Sequence, residues 1–461
     1  MKPVVTVAEM RAIDEEAHAT VDADVLVDRA GTAVAASALR LLGGAYGRRV
    51  VVVAGKGSNG ADGRVAAARL RRRGARVAVV EAAGAPDRIA PDGGVDLVVD
   101  AAYGTGFRGT YRAPSVPAGV PVLAVDIPSG VDGDTGEACG EPLRADVTVT
   151  FAALKPGLLQ GDGPLLAGRV ELVDIGLDTG RARLWVVEDA DVARLLPVRA
   201  RGAYKWQSAV AVVAGSPGMT GAAELCAHAA YRAGAGMVRL GVPGADPALL
   251  SAGEAVATGL PAGGWAAAAL EMATRCRCLV VGPGLGRTGD TAAQVRTLVA
   301  RAPVPVVVDA DGLVALGTGT EIAEAVGGGD GPRCVLTPHD GEFGRLAGGP
   351  PGVDRIAAAR SLASASGAVV LLKGPTTVVA RPDGTALLAT AGSPRLATAG
   401  TGDVLSGAIG AFVARGLPLF EAAGLAAHVH GRAAALGPTE GLVAGDLADL
   451  LGRWLSDVRR G

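Results

Sequence analysis

The chain has 461 residues, 49% of them apolar and only 3% aromatic, with 70 glycines and a formal net charge of −2. That length predicts two or three domains, and an Ala/Val/Leu/Gly chain with glycine-built turns suits α/β layers. A charge this near neutral speaks against nucleic acid or an anionic membrane as partner; with no unbroken 18-residue apolar run and no apolar leader after Met1-Lys2-Pro3, a soluble cytoplasmic protein is expected.

In chain order, Thr6 and Glu9 form a capping box opening a first helix through about residue 19, and an apolar stripe over 25–42 predicts a second. A strand over 49–54, a glycine loop over 55–63, a helix over 61–73 and a strand over 76–81 follow. Residues 95–100 and 120–126 read as strands, each ending in an aspartate (Asp100, Asp126) ahead of a glycine-containing loop, and 147–151 and 168–173 as two more. Strand, loop and helix repeated in this way predict a parallel, doubly wound sheet, whose ligands lie beyond the C-terminal strand ends. The pattern loosens over 178–197, which places a boundary between domains of 1–183 and 184–461. The alternation then restarts, with strands at 209–214, 279–281, 304–309, 334–336, 368–372 and 386–390 and a helix from Asp403 over 404–413. A second three-layer αβα domain is the economical reading, with 263–270 and 327–331 as loop or helix filler.

The five cysteines are scattered, and Cys276-Arg-Cys278 suits neither a zinc knuckle nor a redox pair, so they read as small buried hydrophobes. His428 and His430, in an alanine-rich helix, read as packing. Arg69–Arg73 reads as a solvated helix face. Lysine occurs only at 2, 56, 155, 205 and 373 amid abundant arginine, and Asn59 is the sole asparagine. Lysines kept against such a drift mark places where a compact ammonium on a flexible stem is needed.

Gly55-Lys-Gly57-Ser-Asn-Gly60 matches G-x-G-x-x-G between strand and helix, with Glu81 where a ribose-binding acid would stand. That permits a nicotinamide-dependent dehydrogenase, although Asn59 and Asp62 put polar side chains into a loop whose work in that fold is bare backbone approach. Asn59, Asp100 and Ser129 form a candidate oxygen set for a hard cation; three unrelated turn residues is the plainer alternative. No G-x-x-x-x-G-K-[ST] occurs, which excludes a P-loop NTPase on motif grounds.

Residues 393–410, SPRLATAGTGDVLSGAIG, carry the sharpest signal. Gly400-Thr401-Gly402 leaves backbone N–H groups bare beside the positive end of a helix, which makes an anion site. Asp403 stands beside that anion, suited to taking a proton from a group that attacks a phosphate. An N-cap aspartate after a glycine turn is the plain alternative.

These strings together resemble a known family. Residues 50–70 with SNGADG, 99–109 (VDAAYGTGFRG), 124–136 (AVDIPSGVDGDTG) and 151–161 (FAALKPGLLQG) resemble the NAD(P)H-hydrate epimerase domain. Residues 214–221 (AGSPGMTG), 280–286 (VVGPGLG), 309–312, 336–343 (LTPHDGEF), 372–378 (LKGPTTV) and 397–407 (ATAGTGDVLSG) resemble the ADP-dependent NAD(P)H-hydrate dehydratase domain. Their order is that of the bifunctional repair enzymes. The resemblance implies an α/β protein of two three-layer αβα domains, the first with a Rossmann-like doubly wound sheet and the second ribokinase-like.

It also implies that the first domain interconverts the R and S hydrates of NADH and NADPH. The second would phosphorylate the S form with ADP, so that phosphate elimination restores NAD(P)H. Carried over residue by residue, Asp403 would be the base, Lys373, Gly374, Pro375, Thr376 and Thr377 with Gly400, Thr401 and Gly402 would hold ADP, and Ala222, Gly284 and His339 would face the hydrate. In the first domain, Ser58, Asn59, Gly60, Ala61, Asp62, Gly104, Thr105, Gly106, Phe107, Arg108, Gly109, Thr110 and Asp126 would hold the hydrate. Asp126 is the candidate acid/base, with a structural strand-end aspartate the alternative, and Asn59, Asp100 and Ser129 would hold K+. Mg2+ is expected with the nucleotide, and a homo-oligomer as the assembly.

Two departures bear on activity. The family loop reads Asn-Asn-Gly-Gly-Asp-Gly, where this chain has Ser58 and Ala61; a methyl at 61 matters if that backbone needs φ > 0 or close ligand approach. Asp340 follows His339 where the family has proline. Rival readings are a ribokinase-like small-molecule kinase, and a first domain that only binds a nicotinamide metabolite.

Overall fold

The computed structural model describes residues 1–89, 94–251, 253–287, 289–318, 320–326 and 331–460. The chain divides into two compact units, Lys2–Leu184 and Trp185–Gly461, the latter joined by Met1.

The N-terminal unit is built on six parallel strands in the order Arg76–Glu81, Arg49–Ala54, Leu97–Ala101, Val122–Val125, Val147–Phe151 and Arg169–Val173. The valine run at 50–53 is buried on both faces, as a parallel strand demands. Val50 and Val52 pack with Leu26, Ala30, Val34, Ala66 and Leu70 of the helices Ala23–Leu42 and Ser58–Arg72. Val51 and Val53 face Ile89, Tyr111 and Ala145 from the connecting segments. Between Arg49–Ala54 and Leu97–Ala101 the strand order reverses, and a cleft opens there beyond the strand ends.

The helix after the first strand begins at Ser58 rather than at 61, with Gly57 as its N-cap, so the loop is confined to 55–57. The string SNGADG is therefore the first turns of a helix. Ala61 is helical, not in the left-handed region, which removes the conformational objection to its methyl.

The sheet of the C-terminal unit runs Leu184–Val186, Ala386–Ala389, Thr377–Ala380, Val369–Leu372, Cys334–Leu336, Val306–Val308, Cys278–Val281, Ala209–Val213, Met237–Pro243, Val256–Leu260. From Val369–Leu372 onward the pairs are parallel, while Thr377–Ala380 folds back antiparallel on both neighbours. That hairpin strand, together with Met237–Pro243 and Val256–Leu260, has no counterpart in the sequence reading. The segment 263–270, read as filler, leads into the helix Ala266–Ala273, and of 327–331 only Gly331 is among the described residues. The helix Thr401–Ala414 starts two residues before Asp403, and its apolar residues Val404, Ala408, Ile409 and Phe412 sit in the core with Val280 and Val307.

Candidate active sites

In the N-terminal unit a cavity of about 880 Å³ lies over the strand ends. It collects Ser58, Asn59, Asp62, Gly104, Thr105, Gly106, Phe107, Arg108 and Asp126. Gly60 and Ala61 sit in the helix rather than on the wall, and Gly109, Thr110, Asp100 and Ser129 also lie off it. Tyr103, Phe107 and Tyr111 brace the loop after Leu97–Ala101, with ring centroids 4.6 and 5.1 Å from Tyr103.

Asp126 occupies the left-handed region at φ 67°, an uncommon conformation for a residue with a side chain, held by its N–H donating to Val149 O at 2.7 Å. Its Oδ1 accepts from Lys155 Nζ at 2.5 Å and from Thr150 Oγ1 at 3.1 Å. Lys155 is only 2% exposed, and its ammonium also donates to Thr150 Oγ1 and Phe151 O. Burial, then the negative charges of Asp126 and Asp14, push Asp62 up to about 8, so it holds a proton at neutral pH. Burial raises Asp14 as well, against the opposing charge of Lys155. Three carboxyl groups and one ammonium thus face one cavity, a grouping in which acid and base forms coexist near neutrality. Lys155, Thr150 and Asp14 have no assigned role in the sequence reading; two signals point at Lys155, the scarcity of lysine and its place in the family-like string 151–161, and neither carries a mechanism.

Asp100 and Ser129 meet directly: Ser129 Oγ and N donate to the two carboxylate oxygens at 2.6 and 2.9 Å. Tyr103 N donates to Ser129 Oγ at 2.9 Å, and a Cβ on the next residue, Gly104, would stand 3.5 Å from the Asn59 side chain. Both polar atoms of the Asn59 amide are buried without a hydrogen-bond partner. A buried amide left unsatisfied costs about 1–3 kcal/mol, so an oxygen-seeking cation fits this donor set.

In the C-terminal unit Asp309, at the end of Val306–Val308, is 1% exposed and accepts from Lys373 Nζ at 2.8 Å and Ser406 Oγ at 2.7 Å. Burial alone would raise its carboxyl, but the Lys373 charge and these hydrogen bonds outweigh it and hold the group below the usual carboxylate range. For Lys373 burial works downward, and the charges of Asp309 and Glu342 more than reverse it, so the ammonium persists. A Cβ on Gly402 would stand 3.4 Å from Lys373 Nζ, which puts the glycine turn against the ammonium. Gly400, at φ 89°, caps the helix, and Asp403 lies in its first turn, half-buried. Burial, then the Asp309 charge, raise Asp403 to about 7 against the pull of Lys373.

A cavity of about 580 Å³ joins His339, Lys373, Gly374, Pro375, Thr377, Thr401 and Gly402 with Pro394, Leu405 and His430. Gly400, Asp403 and Thr376 are not on its wall. Ala222 and Gly284 adjoin each other, since a Cβ on Gly284 would meet Ala222 Cβ at 3.1 Å, but they line a different neighbourhood with Gly215 and Met219. His339 Nδ1 accepts from Gly341 N at 3.0 Å and caps the helix Asp340–Ala347, while Asp340 pairs with Arg355 at 2.8 Å. His430, read as packing, instead lines the cavity and holds Thr401 O at 2.9 Å; burial drives it down to about 4, so the neutral ring donates. His428 bonds Asp189 at 2.7 Å away from that cavity.

Residues 210–456 match the family of NAD(P)H-hydrate dehydratases, and residues 23–93 and 81–157 match the YjeF-related protein N-terminus. The chain belongs to the bifunctional NAD(P)H-hydrate repair enzymes. It is 42% identical over 420 residues to the bifunctional NAD(P)H-hydrate repair enzyme Nnr of Mycobacterium tuberculosis, covering 85% of each chain. Against the Nnr of Moorella thermoacetica it is 38% identical over 513 residues, covering 97% of this chain and 96% of the relative. Among solved structures, the ADP/ATP-dependent NAD(P)H-hydrate dehydratase of Bacillus subtilis, co-crystallised with ATP/Mg2+, superposes with a TM-score of 0.50 at 28% identity, covering 59% of this chain and 97% of that one. The N-terminal match is the epimerase half of the family and the C-terminal match the dehydratase half. Among the described residues no helix is long and apolar enough to cross a membrane.

Proposed function

We propose that the C-terminal site moves the β-phosphoryl group of ADP onto the hydroxyl of the S hydrate, and that Asp403 takes the hydroxyl proton. The observation that carries this is the pairing of a carboxyl raised to about 7 with an amide-rich turn against an ammonium. Gly400 and Gly402 amides and Lys373 hold the transferring oxygens, Thr401, whose N–H donates to Thr398 O at 3.4 Å, shapes the turn between them, and Gly374, Pro375, Thr376 and Thr377 flank the nucleotide. The phosphate ester then eliminates: the C–O bond breaks with its electron pair on phosphate, the neighbouring carbon gives its proton to the departing phosphate, and the C–H pair becomes the ring double bond, leaving AMP and phosphate. His339 on the cavity rim faces the hydrate; Ala222 and Gly284 lie off that cavity, beside Gly215 and Met219, and would contact the hydrate from there. Mg2+ would ride on the nucleotide phosphates, since Asp309 is already engaged by Lys373 and Ser406.

In the N-terminal cavity Asp126, paired with Lys155 and Thr150, and the protonated Asp62 are the acid/base pair: Asp62 gives its proton to the departing hydroxyl, so that water leaves the carbinol carbon with the ring nitrogen stabilising the cation, and Asp126 takes a proton from the water that adds to the opposite face. K+ would be held by Asn59, Asp100 and Ser129, where it would fix the loops that carry Tyr103 and Ser129. The deciding assay supplies the full chain with S-NADH hydrate and ADP and follows the return of reduced-nicotinamide absorbance. A trace that stays flat, with both ligands shown to bind, overturns the assignment.

A further inference from the structure

The glycines of Gly55-Lys-Gly57-Ser-Asn-Gly60 do different work. A Cβ on Gly55 would stand 1.9 Å from Ala102 O, and one on Gly60 1.9 Å from Gly55 O, so both let backbone segments touch. A Cβ on Gly57 would meet nothing within 4 Å, and Gly57 lines the cavity. One glycine for the turn, one open to a pyrophosphate and one for helix packing is the division of labour of a dinucleotide-binding loop.

The cavity does not stop at that loop. It continues past the neighbouring strand end to Glu81, Ala82 and Ala83 and takes in Lys56. From Glu81 to Asp126 is three strand spacings, roughly 14 Å at about 4.8 Å each. A dinucleotide separates its nicotinamide from its adenosine ribose by one ribose and a pyrophosphate, a span of that order. Glu81 is held by Arg64, whose Nη2 donates to both carboxylate oxygens at 2.6 and 2.7 Å while Nη1 donates to Gly55 O at 2.7 Å. The side chain of Glu81 is still 60% exposed and free to accept from a ligand hydroxyl.

We propose that Glu81, fixed by Arg64, reads the adenosine ribose of the hydrate bound in the N-terminal cavity and makes the epimerase half prefer NADH hydrate to NADPH hydrate. The carboxylate accepts from the ribose 2′-hydroxyl and repels a 2′-phosphate. With Glu81 removed, Arg64 and Lys56 are left to pair with that phosphate. The inference rests on the reading of this cavity as the hydrate site.

The test uses the full chain without nucleotide, following R to S interconversion of each hydrate by chromatography, and separately the binding of NADH and NADPH by calorimetry. Expected are a several-fold preference for the NADH forms in the parent protein and, in Glu81→Ala, a shift of that ratio towards the NADPH forms by tenfold or more. Arg64→Ala placed on Glu81→Ala removes the gained NADPH affinity. An NADH-to-NADPH ratio unchanged in Glu81→Ala, with interconversion intact, overturns the subsite and leaves the epimerase reading standing. Absent interconversion in the parent, with binding discrimination that still follows Glu81, overturns the epimerase reading and leaves the subsite.

Discussion

Lys373 Nζ stands 2.8 Å from Asp309 Oδ1 at the bottom of the C-terminal site, with Glu342 Oε2 at 3.9 Å on its other side. One compact ammonium is shared by two carboxylates with Gly402 packed against it, and a guanidinium would bring a longer, planar fork that cannot place one point charge between them. Lys373→Arg is therefore expected to lose activity nearly as fully as Lys373→Met, by about 10²-fold or more in kcat/KM. An arginine variant close to the parent would show that the ammonium is only a charge. Asp309→Ala leaves the half-buried Lys373 ammonium without its main partner and Ser406 Oγ without its acceptor, and about 1–3 kcal/mol of stability should be lost in denaturant unfolding.

Asp403→Asn should lower turnover of S-NADH hydrate by about 10²–10⁴-fold while nucleotide still binds in calorimetry. The base form is needed, so kcat/KM of the parent should rise with pH and level off above about 7. A profile flat from pH 5 to 9 removes Asp403 from the base role.

Much of this site was legible in the sequence because its chemistry is local. Gly400 to Asp403 are adjacent in the chain, and a helix start after glycines is a short-range signal. Asp309 and Ser406 fall in strings that resemble the family, but their contact was not legible, since only the parallel strand order brings them within 2.7 Å across 97 positions, and nor was the place of His430 on the cavity wall. The antiparallel strand Thr377–Ala380 is illegible for a related reason: its preceding string KGPT reads as a loop, and only pairing with Val369–Leu372 and Ala386–Ala389 makes it a strand. In the N-terminal unit strand ends were legible from aspartates before glycines. The helix start was misplaced because Ser58, Asn59 and Gly60 are poor helix formers that Gly57 and tertiary packing override.

Lys155→Met is expected to abolish R to S interconversion beyond the spontaneous rate and to leave S-hydrate dehydration intact, because the two sites belong to separate units. Asp126→Asn should do the same. Equal loss of both activities in Lys155→Met, with a lowered melting temperature, would mark Lys155 as a folding residue instead.

Asp62 gives a test in stability. A carboxyl whose folded value is raised to about 8 contributes stability that is fully present below the ordinary carboxylate range and is lost as pH rises through about 8. Asp62→Asn cannot ionise, so its melting temperature relative to the parent should climb between pH 5 and pH 8.5. A difference independent of pH would mean the carboxyl is charged throughout.

Gly55 and Gly57 separate folding from binding within three residues. Alanine at 55 would drive its Cβ into Ala102 O, a backbone atom that cannot move without parting the strand ends Ala54 and Ala101, which lie side by side in register. Gly55→Ala should therefore give little folded N-terminal unit. At 57 the backbone, φ −86° and ψ −170°, is extended and open to any residue, and the new methyl meets no protein atom. Gly57→Ala should melt with the parent yet weaken NADH binding several-fold, because the methyl takes the space a pyrophosphate would occupy. Unchanged affinity in Gly57→Ala would mean that the dinucleotide does not cross this loop.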